Sequence, residues 1–440
     1  ITMKDNDTVL SEVVVVGYGV QRKSDITGSV SSVKASDLQS RPTASAMDAL
    51  QGRVAGVVVQ NSSGDPAGNT SIRIRGANSL TYGNDPLVII DGVQDASLSS
   101  LNPNQIESME VLKDAAALSI YGSRGANGVI IVTTKGGKTE RAQISYNGFV
   151  SFDRVSKRLD ALNAHDYASL MNEAQIENGL NPLFTPDEIA KLGQGTNWQD
   201  QIFRNAVSHT HNISIGGSKK AVSYFIAGGI TSKEGVIINS GFKEYNFRTN
   251  LRTEALKGFT VSLNAFVSHS ESKKGDTERA LTSALQWSPT KDVYDANGKY
   301  VQPGGGVGPV SEYNPVGLAR ELVNDKNTTT FNVALQLEYK FTDWLKLSSL
   351  LAYKSNSVMS GYFDNQVYNN GAEEDIAGSK TQSSYWSLQN TNILSFDKDF
   401  NDHHVQATAV YELWKDKYNS TTASAKGIPV DMGYQGVHFG

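Results

Sequence analysis

Seven histidines, no cysteines and 45 carboxylates are the material from which any chemistry in this 440-residue chain has to be built. His209 and His211 stand two apart, so on a strand they share a face and could hold a metal ion. Two imidazoles are an incomplete ligand set, and a pair of ordinary strand residues near an interface fits them better. His403 and His404 form a second pair with no further ligand suggested. Asp364, Glu373, Glu374 and Asp375 concentrate acid in one stretch that could collect calcium. They lack the regular spacing of a calcium loop and read as a solvated acidic loop. No hydrolase motif assembles a Ser-His-Asp triad. Without cysteine there is no disulfide, thiol nucleophile or thiolate metal site. No enzyme activity, metal or cofactor is expected.

Gly122, Gly125 and Gly128 raise the question of a phosphate loop. Their context argues against it. A strand, Glu107 to Leu112, leads into a short helix from Asp114 to Leu118, opened by Asp114 as N-cap and built of helix formers. The glycines follow that helix and precede a second strand, Val129 to Thr134. A dinucleotide site needs glycines that open a helix. Here they permit backbone angles closed to bulkier residues. Upstream, Ser45 to Gln51 reads as a helix, and Val54 to Gln60, Ser71 to Arg75 and Leu87 to Ile90 read as strands between Gly/Asn/Asp/Pro loops. This is a small α+β unit that could fold in water by itself.

From Arg141 onward the pattern changes to long two-residue alternation. Phe331, Val333, Leu335, Leu337, Tyr339 and Phe341 alternate with residues that include Asn332, Gln336, Glu338 and Lys340. Phe259 to Val267 repeats the pattern. About nine such strands are expected: Arg141–Phe152, Val207–Gly217, Ala221–Ser232, Gly241–Thr253, Lys257–Glu271, Thr328–Phe341, Trp344–Ser357, Thr381–Asp397 and His403–Tyr418. The connections between them run short at one end and long at the other, the construction of outer-membrane barrels. Placing Lys340 in lipid would cost roughly 2–4 kcal/mol at the midplane, so the apolar set is expected to face outward. Phe341, Trp344, Phe396 and Phe400 flank tight turns, where an aromatic girdle belongs.

Composition agrees. No run of 18 apolar residues could form a membrane-crossing helix, whereas alternating strands keep mean hydropathy low, here -0.35. A net charge of -5 gives no reason to expect nucleic acid as a partner. An odd, open set of strands leaves edges that cannot persist in hydrocarbon, so the rest of the wall is expected from sequence beyond these residues.

The run Asp114-Ala-Ala-Ala-Leu-Ser-Ile-Tyr-Gly-Ser-Arg-Gly-Ala-Asn-Gly128, continuing to Gly137, resembles the end of the plug domain in TonB-dependent outer-membrane transporters, and specifically the SusC/RagA branch of Bacteroidetes. Leu10-Ser-Glu-Val-Val-Val-Val-Gly-Tyr-Gly19, Leu50-Gln-Gly-Arg-Val-Ala-Gly-Val57, Ile72-Arg-Ile-Arg-Gly76 and Asp85-Pro-Leu-Val-Ile-Ile-Asp-Gly-Val93 occur in that family's order. Thr196-Asn-Trp-Gln-Asp200, Ile213-Ser-Ile-Gly-Gly217 and Phe247-Arg-Thr-Asn250 extend the likeness over nearly the whole chain.

The resemblance implies an α+β plug inside a transmembrane antiparallel β-barrel of about 22 strands. Residues 1–19 would be a linker, 20–138 the plug and 139–440 the first part of the barrel. It implies active import of a glycan or peptide oligomer across the bacterial outer membrane, driven by TonB with ExbB and ExbD. A SusD-like lipoprotein would cover the entrance, and importer–lid units could pair. A siderophore or cobalamin receptor without a lid and a surface binding or signalling protein are the competing readings. Leu10, Ser11, Glu12, Val13, Val14, Val15 and Val16 form an extended β-branched segment that a partner sheet could capture, so they are the TonB-interaction candidates. Val13 to Val16 also read as the first buried strand of the plug. Asn78, Tyr82, Asn84 and Gln94 fall on the loops implied to face the substrate, and Arg73, Arg75 and Arg124 are plug cations that could retain it against wall carboxylates such as Glu338 and Glu412.

Overall fold

The computed structural model describes residues 13–16, 19–22, 30–40, 43, 45–61, 64–68, 70–79, 83–114, 118–301, 313–365, 376–401 and 403–438. Leu10, Ser11, Glu12, Tyr82, Glu373, Glu374 and Asp375 lie outside them, as does most of the helix expected from Asp114 to Leu118.

An N-terminal hairpin pairs β1 (Val13–Val16) with β2 (Gly19–Arg22). The plug follows, with strands β3 (Val30–Lys34), β4 (Val57–Asn61), β5 (Thr70–Ile74), β6 (Leu87–Ile90), β7 (Val93–Gln94), β8 (Ile106–Leu112) and β9 (Val129–Thr134). Five of them make one mixed sheet in the order β3-β8-β9-β6-β7, with β6 and β9 parallel, while β4 and β5 form a hairpin of their own. Helices α1 (Ala35–Gln39) and α2 (Ala46–Ala49) accompany the sheet, and Ser45 caps α2 by accepting from the Met47 amide at 3.1 Å. One core joins Leu38, Leu50, Val57 and Ile72 to Met109, Val111, Ile130 and Val132. A second joins Leu87, Ile89, Leu112, Tyr121, Val129 and Ile131. Burial on both faces explains why β9 reads Val-Ile-Ile-Val without alternation.

The wall is a nine-stranded antiparallel meander: β10 (Gln143–Asp153), β11 (Ala206–Lys219), β12 (Val222–Glu234), β13 (Gly241–Leu256), β14 (Phe259–Lys273), β15 (Val323–Thr342), β16 (Leu345–Phe363), β17 (Ala377–Phe400) and β18 (His403–Lys426). Its polarity is inverted relative to a water-soluble protein. Leu335, Leu337, Tyr339, Phe341 and Leu351 are exposed, whereas Ser208, Thr210, Asn246, Asn250, Ser262, Gln389 and Thr391 are buried. Leu351 is 47 % exposed and Thr391 1 %, so the apolar set does face outward. Along β14 the outward row runs Phe259, Val261, Leu263, Ala265 and Val267, then turns polar at His269. That row climbs roughly 27 Å along the strand, and about 20 Å in height at the usual tilt, close to the lipid-facing band of barrels. His211 and His269 lie in one cross-strand row at its border, through Ile230 and Tyr245.

All nine expected strands are present, but several are longer than alternation suggested. β16 runs to Phe363 rather than Ser357, and β18 to Lys426 rather than Tyr418. Beyond the apolar band both faces are polar, as in the cross-strand pair Thr381–Thr422 at 2.9 Å, so the ladder continues where the hydropathy signal stops. The long connections carry helices: α3 (Ala164–Glu177), α4 (Pro186–Leu192), α5 (Trp198–Ile202), α6 (Thr277–Gln286) and α7 (Pro315–Arg320). Trp198 and Trp287 meet edge to face at 6.1 Å in a small core with Ile202, Ala284 and Val316. Trp287 is therefore a packing residue.

Candidate functional site

Among the described residues the plug meets the polar face of the wall at three places, and the chain reverses sharply at the first. Ile90 pairs with Val93 across the two-residue turn Asp91-Gly92, whose φ angles of 49° and 86° are those of a type I′ hairpin. A side chain at Gly92 would press Leu350 of the wall at 3.1 Å. The turn carries Asp91 to the wall. Its carboxylate accepts from the Thr134 amide at 2.9 Å and the Thr134 hydroxyl at 2.6 Å. Arg248, on β13, comes within 3.5 Å with its side chain 5 % exposed. Its Nε donates to Gln105 Oε1 at 3.3 Å, and its guanidinium lies over Phe266 at 4.7 Å. Asn250 donates to Thr134 Oγ1 at 2.6 Å and to the Lys135 carbonyl at 2.8 Å. A buried cation is stable only when paired and hydrogen-bonded, and Arg248 has both.

The second contact lies three residues past Asp91. Gln94 is buried; its amide nitrogen donates to Glu412 at 2.8 Å and its carbonyl accepts from Arg124 at 2.7 Å. Gln389 reaches back to the Gly92 carbonyl at 3.3 Å, and Thr391 donates to the same Glu412 oxygen at 2.8 Å. Arg124 also pairs with Asp95 and stacks over Trp414 at 4.5 Å, while Lys354 donates to the Asp95 carbonyl. The third contact is an ion pair, Asp65 with Lys274, at 3.0 Å near the long-connection end of β14.

The candidates from sequence fall in different surroundings. Asn84 ties its own loop, accepting from the amides of Asn78 at 2.7 Å and Ser79 at 2.8 Å. Asn78 donates to Ala126 and Asn127, each at 3.2 Å. Arg73 is exposed on β5, and Arg75 pairs with Asp114 at 2.6 Å within the plug. Arg124 alone of the three touches the wall in these contacts, through an aromatic ring rather than a carboxylate. Glu338 turns to Lys346 at 3.3 Å and Arg252 at 4.0 Å, both on the wall. His211 hydrogen-bonds Tyr146 at 2.7 Å and lies 5.3 Å from His209. No cluster of three metal-binding side chains occurs among the described residues. Val13 to Val16 form β1, the edge hairpin.

Asp91 and Arg248 are absent from the candidates drawn from sequence. Their signals are present: Asp-Gly between two apolar runs is a hairpin turn, and Arg248 is the charged member of the alternating Tyr245-Asn-Phe-Arg-Thr-Asn-Leu251. In the two ion pairs, Asp91–Arg248 and Asp65–Lys274, the plug supplies the anion and the wall the cation, whereas at Gln94 the wall carboxylate Glu412 and the plug cation Arg124 share one side chain.

A model of the TonB-dependent receptor plug domain matches residues 22–129. The TonB-dependent receptor SusC of Bacteroides thetaiotaomicron is 38% identical over 372 residues, which cover 78% of this chain and 36% of that protein. TonB-dependent receptor P3 of Formosa agariphila is 33% identical over 456 residues, covering 100% of this chain and 44% of that one. The chain thus spans less than half the length of these relatives. Among solved structures, the RagAB peptide importer in its open-open state aligns over 94% of this chain and 50% of its own, with TM-score 0.80 and 24% identity. The ferric citrate transporter FecA aligns with TM-score 0.58 and 11% identity over 91% of this chain and 49% of its own, a likeness of fold. With its plug, its inverted wall and these relatives, the chain matches the N-terminal part, plug and first wall strands, of SusC/RagA-type TonB-dependent receptors.

Proposed function

We propose that the chain forms the plug and the first strands of an importer that carries an oligomeric nutrient, a glycan or a peptide, through the outer membrane. TonB, energised with ExbB and ExbD, supplies the work, and a SusD-like lipoprotein closes the outer mouth. The supporting observation is the attachment of the plug to the wall by a buried ion pair and several amide contacts. A stopper held that way does not yield to a large solute by diffusion, so moving it requires an external source of work. The RagAB structures, described as those of a peptide importer, favour an oligomer over a metal chelate. Residues 1–19 would act as the linker that TonB grips, with Leu10 to Val16 added as a strand to TonB's own sheet. Residues 20–138 would be the plug and 139–440 the wall. Substrate would meet Asn78, Tyr82 and Asn84 on the loop between β5 and β6.

Deleting residues 10–16 tests the reading. Uptake of the nutrient should vanish while surface binding survives. Uptake unchanged by the deletion refutes TonB coupling through this segment, and loss of binding as well would point to a folding defect. Recovery of a lipoprotein in equal amount on purification separates a lidded importer from a siderophore-type receptor.

A further inference from the structure

Glu110 sits in the middle of β8, 3 % exposed, and among the described residues its buried Oε2 has no hydrogen-bond partner. Such a carboxyl is out of place in a plug core unless it does something. Its neighbours across the sheet are Ser32 on β3 and Ile131 on β9. By strand alternation it shares its face with Leu112, in the core formed with Leu87, Val129 and Ile131. Among the described residues β3 is an edge strand paired with β8 alone, and β1 also lies against β8. Two of the first three strands of the described chain therefore close on the strand that carries this acid.

We propose that Glu110 is a proton-dependent clasp: neutral, it lets β3 and β1 close on β8; ionised, it favours their separation. The proposal needs only the plug, and stands whether or not TonB drives import. Burial without a counter-charge raises the carboxyl from 4.5 to about 7, with the hydrogen bond from Ser108 pulling the other way. The charged groups near it do not neutralise it. Lys34 stands two positions along on β3, opposite Ser108, and is exposed. Asp37 belongs to α1, which packs through Leu38 into the other core. Lys113, beyond the end of β8, donates to the Ala55 carbonyl at 2.6 Å. β9 presents no charge, and β1 is Val-Val-Val-Val.

The sign follows from linkage. A carboxyl raised in the closed plug binds its proton there more tightly than in the opened, hydrated one. Closure is unopposed below pH 4.5, weakens as pH rises, and is least favoured above pH about 7. Across that window the open-to-closed ratio rises on the order of 100-fold.

Hydrogen exchange of the full-length protein in detergent, followed at residues 30–34 and 106–112 between pH 5 and 7.5 and corrected for intrinsic rates, tests this. Wild type should show opening that grows with pH by that factor, and Glu110→Gln should remain as protected at pH 7.5 as wild type at pH 5. An equal pH dependence in Glu110→Gln, or none in wild type, overturns the proposal. Should the variant fail to fold, infrared spectroscopy of the wild type decides. A buried protonated-carboxyl band at pH 6 that persists when Glu244, a second shielded carboxyl, is replaced by Gln supports the clasp, and its absence removes it.

Discussion

Replacing Asp91 by Asn keeps the size and hydrogen-bonding capacity of the Asp91-Gly92 turn but removes the charge facing Arg248. Thr134 still has a carbonyl to donate to. Arg248 does not fare as well: its side chain is 5 % exposed, and its remaining contacts are the neutral Gln105 amide and the Phe266 ring. Removing one member of a buried pair typically costs about 3–5 kcal/mol, because the other charge is left uncompensated. D91N should therefore weaken plug docking by about that amount. Arg248→Met alone should cost less, since a carboxylate held by two Thr134 donors tolerates the loss better. The double variant should be less damaged than the sum, with a coupling energy of about 1–3 kcal/mol. The assay is protease protection of the plug in reconstituted full-length protein, with chemical denaturation of the plug as an independent measure. Because the pair is buried, the effect should change little with ionic strength. Additive single and double variants, or a D91N plug docked as tightly as wild type, would refute the reasoning that this pair holds the plug.

Leu335→Lys places a charge on the outward row of β15 and should destabilise the membrane-embedded wall by about 2–4 kcal/mol, read as a lowered midpoint in lipid-reconstituted unfolding; no loss would mean the row does not face lipid. Gly128→Ala should lower the yield of folded plug, costing about 1–3 kcal/mol. The residue has φ of 92°, and an added methyl would sit 2.7 Å from Ile74 Cδ1; a fully stable variant would show that the turn relaxes freely.

The wall was legible because hydrocarbon enforces alternation. Every strand with lipid on one face and plug on the other wrote a period of two into the chain, as Phe331 to Phe341 illustrates. Legibility ended where lipid ended. Val323 to Asn327 and Val358 to Phe363 continue the ladder with no apolar row to announce it. The helices in the long connections were missed as organised structure for another reason. α6 buries Ala280, Ser283 and Ala284, small residues that do not stand out as a stripe. In the plug, β6 and β9 were readable from continuous apolar runs, and β4 began three residues later than expected because Val54 belongs to a turn whose carbonyl accepts from the Val57 amide. The retaining contacts depended on register. Whether Arg248 or Glu338 faces the plug, and at what height, is a fact of three dimensions: Glu338 pairs along the wall, and Arg248 meets Asp91.

Where β9 gives way to the wall, the chain is gripped on both sides. Asn250 holds the Lys135 carbonyl, and a side chain at Gly137 would strike the carbonyl oxygens of Gly217 and Tyr224. The rear edge of the stopper is thus sewn to its frame by a backbone with no slack, while the β1–β2 hairpin leads into the plug from the other end. Tension applied at that end cannot eject the whole body. If the plug moves, the seam at Gly137 is its fixed point, and the segments far from that seam have to move furthest.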